Sequence, residues 1–292
     1  MFEYDYPLYR PPAEANSLII QATLGCSHNA CTFCSMYVDK RYKERPLDEL
    51  HEEIGLLSET YPDIQRVFLA DGDALGLETD HLLKILELLN KYFKNLRRVS
   101  IYASAPNLKK KSVEELKKLR ENKLTLVYLG IESGNDNILK KIKNGASHDQ
   151  IVESLNKASD AGLKTSVTVI LGLGGHEHSV EHIEDSAKLI NKVNVTYLST
   201  LQLDVAPSVR ERFYKAFDSF TKLSDLEMLD EQERFVKALN PQNSVIFRSN
   251  HASNALPLKG TLPKDKEKLL DQIEYAKKFS DEMLRPTMVR RF

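Results

Sequence analysis

Between Ser17 and Val205, six short apolar runs alternate with amphipathic stretches, and this rhythm leaves the chain few architectures to adopt. The runs are SLIIQAT (17–23), RVFLAD (66–71), RRVSIYAS (97–104), LTLVYLGIES (124–133), KTSVTVILGLGG (164–175) and TYLSTLQLDV (196–205). Their shortness and near-continuous apolar character predict the strands of a parallel sheet. The intervening stretches repeat apolar residues at helical spacing, as Leu47, Leu50, Ile54 and Leu57 do behind Pro46. Ser112 with Glu115, and Ser147 with Gln150, stand in capping-box register at two helix starts, and Gly162 marks a helix end. The alternation predicts an α/β fold with a parallel sheet and helices on its outer face, a full or partial (β/α)6 TIM-like barrel.

In such a fold the chemistry sits in loops at the carboxyl ends of the strands. Four polar or glycine-rich segments fall there: the loop after the first strand, DGDAL after the second, ESG after the fourth and GLGG after the fifth. Beyond residue 205 the rhythm changes. SDLEMLDEQERFVKAL (224–239) predicts a helix opened by Ser224 and Glu227, SVIFRSN (244–250) one more strand, and LPKDKEKLLDQIEYAKKF (262–279) a last helix. The expected organisation is an N-terminal extension (1–16), a core barrel (17–205) and an α-rich C-terminal extension (206–292) that packs on the barrel and selects the substrate.

The loop after the first strand, TLGCSHNACTFCSMY, holds Cys26, Cys31 and Cys34, and the chain has no other cysteine. The N-terminus lacks the basic start and apolar run of a signal peptide, and no apolar run nears the ~20 residues that span a bilayer. A cytoplasmic location is expected, where clustered thiols serve as ligands or redox groups more often than as disulfides. The net charge of −1 gives no electrostatic footprint for nucleic acid or for an acidic membrane. A disulfide would leave one of the three thiols over. Structural zinc ordinarily takes four ligands, and His28 is the available fourth. A nucleophilic cysteine needs one thiol beside a base, not three. An iron–sulfur cluster is held by cysteine thiolates, and three of them leave one iron of a cubane open to an exchangeable ligand.

At these residues the chain resembles the radical S-adenosylmethionine (radical SAM) superfamily. GCSHNACTFC is similar to that family's cluster loop, including the aromatic Phe33 before the third cysteine. Its Cys-x4-Cys-x2-Cys spacing has one more residue in the first gap than the usual Cys-x3-Cys-x2-Cys. YLGIESG likewise resembles the GxESG segment of the methylthiotransferase and coproporphyrinogen-dehydrogenase-like branches. The resemblance implies a [4Fe–4S] cluster on Cys26, Cys31 and Cys34, with SAM chelating the open iron. In the family the reduced cluster cleaves SAM to methionine and a 5′-deoxyadenosyl radical, which abstracts hydrogen from a substrate. It further implies that Asp71, Gly72 and Asp73 face the methionine ammonium, and that Glu132 bonds the ribose hydroxyls, with Ser133 and Gly134 turning the backbone close to them. Ile170, Leu171 and Gly172 would lie against the adenine. An external electron donor of the flavodoxin or ferredoxin type is implied as a partner. The resemblance covers residues 17–205, about two thirds of the chain.

Other residues carry weaker signals. Tyr37, Tyr102 and Tyr128 stand near strand ends, where they either line a pocket or fill the barrel. In FRSNHASNALPLKGTLP (247–263), Arg248, Asn250, His251, Ser253 and Asn254 either close the barrel mouth over a substrate or form a turn-rich connection. In HEHSVEH, which also holds His176, His178 and His182 lie four apart, a metal-binding spacing on a helix, although histidines at a helix start are ordinarily solvated. LKKKS (108–112) and the terminal RRF read as solvated basic faces. Without further cysteines, neither a second cysteine-ligated cluster nor a cysteine hydrogen-atom donor is expected, and the stretch before Ser17 is too short for a cobalamin domain. The expected substrate is a small molecule or peptide rather than nucleic acid. Two other functions fit part of the pattern: a non-catalytic zinc protein, and a barrel enzyme whose GLGG holds the phosphate of a metabolite.

Overall fold

The computed structural model describes residues 4–290. All six expected runs form strands: β1 (Leu18–Gln21), β2 (Arg66–Ala70), β3 (Arg98–Ala103), β4 (Leu124–Glu132), β5 (Lys164–Leu171) and β6 (Tyr197–Gln202). Two more follow, β7 (Val245–Ser249) and β8 (Leu258–Leu262). The strands lie in chain order in one eight-stranded sheet. Strands β1 to β4 pair parallel in turn, as do β5, β6 and β7, and β8 folds back antiparallel on β7. β8 lies in the segment read as a polar connection; its LKGTL sequence has apolar residues only at its two ends, too few to signal a strand. A short ribbon, Thr23–Leu24 against Lys43–Glu44, brackets the cysteine loop.

The α-helices among the described residues are α1 (Leu47–Thr60), α2 (Thr79–Tyr92), α3 (Ala105–Lys110), α4 (Val113–Glu121), α5 (Asp136–Lys141), α6 (His148–Asp160), α7 (Gly175–Asn191), α8 (Arg210–Tyr214), α9 (Asp225–Ala238), α10 (Lys266–Lys278) and α11 (Ser280–Met283). Capping boxes open α4 at Ser112 and α9 at Ser224, and Ser147 exchanges the same pair of bonds with Gln150 before α6. Gly162 follows α6 with φ +74°, a conformation that a side chain would strain. No helix among the described residues is long and apolar enough to cross a membrane.

The chain forms two compact units that share β4. The first comprises the residues up to Asn29, Cys34–Leu129 and Lys157–Thr165; the second comprises Ala30–Phe33, Gly130–Asn156 and the chain from Ser166 onward. In the first, Leu50, Ile54, Phe68, Leu82 and Phe93 are fully buried. Glu14, from the N-terminal extension, is buried there as well. Its carboxylate accepts two bonds from Arg98 Nη2 at 2.8 and 2.9 Å, one from the Tyr128 hydroxyl at 2.7 Å and one from Ser17. The Tyr128 hydroxyl is thus committed to a structural ion pair, not offered to a pocket.

In the second unit, burial alternates along the strands. Val167, Leu198 and Phe247 are buried, whereas Ser166, Thr168, Tyr197, Ser199, Ile246 and Arg248 are half-buried. One face of these strands therefore carries hydroxyls and is only half-buried. The sealed face packs on α9, where Thr200 and Ser249 both donate to Gln232 Oε1. Asn254 completes this network: its Nδ2 donates to Thr200 O and Ser249 Oγ at 2.8 Å, and its Oδ1 accepts from the Gln202 amide at 2.9 Å. Asn254 and Ser253 are buried, and Ser253 also meets His251 Nδ1, so much of the polar loop feeds an internal network. Two groups read as solvated are also internal. Lys111 donates from a buried site to Leu77 O, and Arg290 forks onto Asp225 at 2.7 and 2.6 Å; Arg291 and Phe292 lie outside the described residues.

Asn254→Ala is expected to cost about 2 kcal/mol in urea unfolding, because the buried Gln202 amide loses its acceptor. A loss below about 0.5 kcal/mol would contradict a structural role.

Candidate functional site

In the first unit the DGD turn after β2 fastens the cysteine loop. Asp71 Oδ2 accepts from Lys40 Nζ at 3.1 Å, from Gln21 Nε2 at 3.0 Å and from the Gly25 amide at 3.2 Å. The Gly72 amide returns a bond to Gly25 O at 3.1 Å. Asp73 accepts from Ser27 in the loop and from Asn107 in α3. Burial, partly opposed by these two bonds, pushes the Asp73 carboxyl up. Both carboxylates therefore turn toward protein groups, and the expectation that they face a ligand ammonium holds for neither oxygen pair as a whole. Of their four oxygens, only Asp71 Oδ1 is buried without a partner among the described residues. Gly72 is required because the Tyr37 ring occupies the space a Cβ would fill.

Tyr37 is buried, its hydroxyl lacks a partner among the described residues, and burial beside Asp71 raises its pKa. Tyr102 is half-buried and packs edge-on against Phe68 at 5.0 Å. Cys26 and Cys34 are half-buried, and burial pushes the Cys26 thiol up. Cys31 belongs to the second unit, where its thiol lies 3.6 Å from Lys143 O and the next amide, of Thr32, donates to Ile142 O at 3.0 Å. None of the three cysteines is in a disulfide.

In the second unit β4 ends on Glu132, which has φ +63°, a strained conformation for a residue with a side chain. Its Oε2 is buried and has no partner among the described residues. Gly130 leaves the room for this carboxylate, since a Cβ there would overlap Glu132 Oε1. The turn that follows is gripped by one face of α7. Ser133 Oγ meets His182 Nδ1 at 2.8 Å, the Gly134 amide donates to Ser186 Oγ at 2.8 Å, and Asn135 Nδ2 donates to Asp185 Oδ2 at 2.8 Å. His182 Nε2 lies 2.9 Å from Ile170 O. A carbonyl only accepts, so Nε2 carries the proton and Nδ1 accepts from Ser133. His182 thus ties the ends of β4 and β5 together, and neither nitrogen is left for a metal.

At the β5 exit, Leu171 is buried and Ile170 half-buried. Gly172 has φ +78°, and its amide donates to the buried carboxylate of Glu231 in α9, which also accepts from Ser179 at 2.8 Å. The His176 amide donates to Thr221 O at 2.9 Å. The Gly172 amide of GLGG is thereby taken by a protein carboxyl group rather than offered to a phosphate, which counts against the phosphorylated-metabolite alternative. Arg248 Nη1 donates to Phe247 O and Gly260 O, and burial lowers the His251 pKa.

Among the described residues, no group of three or more His, Cys, Asp or Glu side chains is gathered to hold a single metal ion. A cubane spreads its thiolates over separate irons and does not need the tight shell of one zinc, with sulfur at about 2.3 Å. The donor chemistry fits the implied groups: three thiols in one loop suit iron, and the orphaned Glu132 oxygen suits a hydroxyl donor. Sequence reasoning missed the residues that hold these groups in place, namely Lys40, Asn107, Gly130, Ser186 and Glu231. Gly130 stands inside YLGIESG and Glu231 inside the 224–239 stretch, but neither carries a local signal of this role; His182 stands out in the sequence only for metal-binding spacing.

A family model described as the radical SAM superfamily matches residues 20–190. The heme chaperone HemW of Bacillus subtilis is 25% identical over 187 residues, covering 62% of this chain and 49% of that protein. A tRNA-2-methylthio-N(6)-dimethylallyladenosine synthase of Ehrlichia canis is 25% identical over 202 residues, covering 66% of this chain and 45% of that protein. The chain thus spans about half the length of these curated relatives. Coproporphyrinogen III oxidase from Escherichia coli, described as a radical SAM enzyme, aligns with a TM-score of 0.60 at 18% identity, over 76% of this chain and 52% of that one. This likeness shows the fold: the α/β architecture expected from the strand rhythm is of the radical SAM type.

Burial pushes the Glu132 carboxyl up from 4.5 to about 8. The folded chain therefore holds this proton more tightly than the unfolded chain, and stability falls as pH rises from about 4.5 to about 8. Glu132→Gln, which mimics the protonated form, is expected to unfold with wild-type Tm near pH 4.5 and with a higher Tm at pH 8 in the ligand-free chain. A Tm difference independent of pH would contradict this.

Proposed function

The chain belongs to the radical SAM superfamily, and on that premise we propose that it is an enzyme with one [4Fe–4S] cluster on Cys26, Cys31 and Cys34. S-adenosylmethionine binds at the iron those thiolates leave open. The observation that carries this reading is the loop after β1, which lies within the matched segment and contains every cysteine of the chain. When bound, the two groups supply reductive cleavage of SAM and a 5′-deoxyadenosyl radical that abstracts hydrogen from a substrate.

The other roles fall to side chains and backbone. Asp71, with Lys40, Gln21 and the Gly25 amide, keeps the cysteine loop at the exit of β2. Because that carboxylate is engaged, the methionine ammonium is left to Asp71 Oδ1 and to the main-chain carbonyls of the DGD turn. Glu132 accepts from the ribose hydroxyls through its orphaned Oε2. Ser133 acts indirectly, since its hydroxyl is held by His182. Ile170 supplies the half-open apolar side chain beside the adenine, while Gly172 sets the backbone turn.

The relatives' names, one referring to heme and the other to tRNA, point to different molecules and carry no substrate to this chain. A small molecule or peptide is the substrate class we favour, because a net charge of −1 offers little to a phosphate backbone. The reducing electron comes from an external donor of the flavodoxin or ferredoxin type. Three cysteines outside any disulfide suit a reducing cytoplasm.

Anaerobic reconstitution with iron and sulfide should load a cubane, and addition of dithionite and SAM should yield 5′-deoxyadenosine and methionine. Cys31→Ala should lose both signals, and Glu132→Gln should keep the cluster but bind SAM about tenfold more weakly. Zinc without iron or labile sulfide after anaerobic purification, together with no 5′-deoxyadenosine after reconstitution, would overturn the proposal.

A further inference from the structure

We propose that the half-open face of β5, β6, β7 and β8 in the second unit binds an anionic group of the substrate, a carboxylate or a phosphate, through Arg248 and Lys259 with the hydroxyls of Ser199 and Thr168. The inference rests on the proposed function only in calling this anion part of the substrate.

The four residues form one row across the sheet. Thr168 is the register partner of Ser199, Ser199 of Arg248, and Arg248 of Lys259. Register partners in a ladder present their side chains on the same face. That face is the one turned away from α9, because the alternate residues Thr200 and Ser249 are bonded to Gln232 of that helix. Two residues nearer the carboxyl ends, Ile170 and Leu201 pair as the next step on the same face and give the polar row an apolar flank.

Two cations directly opposite one another in an antiparallel pair repel. Among the described residues no carboxylate forms an ion pair with either, although the chain as a whole has as many acidic as basic groups to within one. A lysine on an edge strand is a common guard against strand pairing, and Lys259 alone would be explained that way. Arg248 lies one strand further in and is half-buried, so that explanation does not reach it. Its Nη1 is fixed by Phe247 O at 2.7 Å and Gly260 O at 3.3 Å, which orients the guanidinium and leaves Nε and Nη2 as donors. The hydroxyls of Thr168 and Ser199 have no hydrogen-bond partner among the described residues. A fixed guanidinium, an adjacent ammonium and two hydroxyls make a donor set suited to an oxyanion, which a guanidinium meets with two parallel bonds.

The test is isothermal titration calorimetry of the full chain with inorganic phosphate and with succinate, at ionic strength held constant with chloride. Saturable binding of at least one probe is expected, and the preferred probe distinguishes a phosphate from a carboxylate. Arg248→Gln should weaken that binding about tenfold and Lys259→Gln about threefold, while Lys264→Gln leaves it unchanged. Circular dichroism checks each fold, and Ser199→Ala, expected to weaken binding by a smaller factor, serves if Arg248→Gln does not fold. Absence of saturable binding to wild type, or wild-type affinity in folded Arg248→Gln or Lys259→Gln, would overturn the inference. Anion binding in a chain that yields no 5′-deoxyadenosine would uphold this row and overturn the proposed function; the reverse pattern would overturn the row alone.

Discussion

The carboxylate of Asp71 is the contact on which the cysteine loop depends. The loop between Leu24 and Lys43 has almost no regular structure of its own, so its backbone has to be held from outside. Asp71 does this from the exit of the next strand, by taking one donor from the loop's start, one from its far side and one from β1. A buried anion without such donors would be strongly destabilising, so loop and turn order each other. The aromatic ring of Tyr37, seated where Gly72 has no side chain, adds a packing constraint to the same junction.

The second unit uses the same logic with different parts. Glu132 combines a strained backbone with a carboxylate oxygen that no group among the described residues satisfies. Such a residue persists only when its surroundings over-determine it. Here His182, Asp185 and Ser186 of α7 hold the following three residues, and Glu231 of α9 holds the neighbouring strand exit. The segment beyond residue 205 therefore contributes to the site's frame through a buried acid, besides any contact with substrate.

Much of this was legible in the sequence. Six strands, their helices and three capping boxes were visible because apolar periodicity and capping are local signals. The cysteine loop and the GIESG segment were visible because they are contiguous. β8 was not, since LKGTL carries no alternating pattern and is made a strand only by its pairing with β7. The partners of Asp71 and Ser133 were equally hidden: Lys40 and His182 lie 31 and 49 residues from the groups they bond, and nothing local marks them. The roles expected of Asp71 and Tyr128 shifted for the same reason, as each found a distant partner in Lys40 or Glu14. Alternation on β5 to β7 was masked because Thr, Tyr and Ser suit strands on either face.

The central claim is that three thiolates hold a cubane whose fourth iron takes SAM. Electron paramagnetic resonance of the dithionite-reduced, reconstituted chain, recorded with and without SAM, tests it most directly. A reduced [4Fe–4S] signal whose g-values shift on adding SAM is the predicted result. A cubane signal indifferent to saturating SAM, or the absence of a cubane signal in wild type, would contradict it.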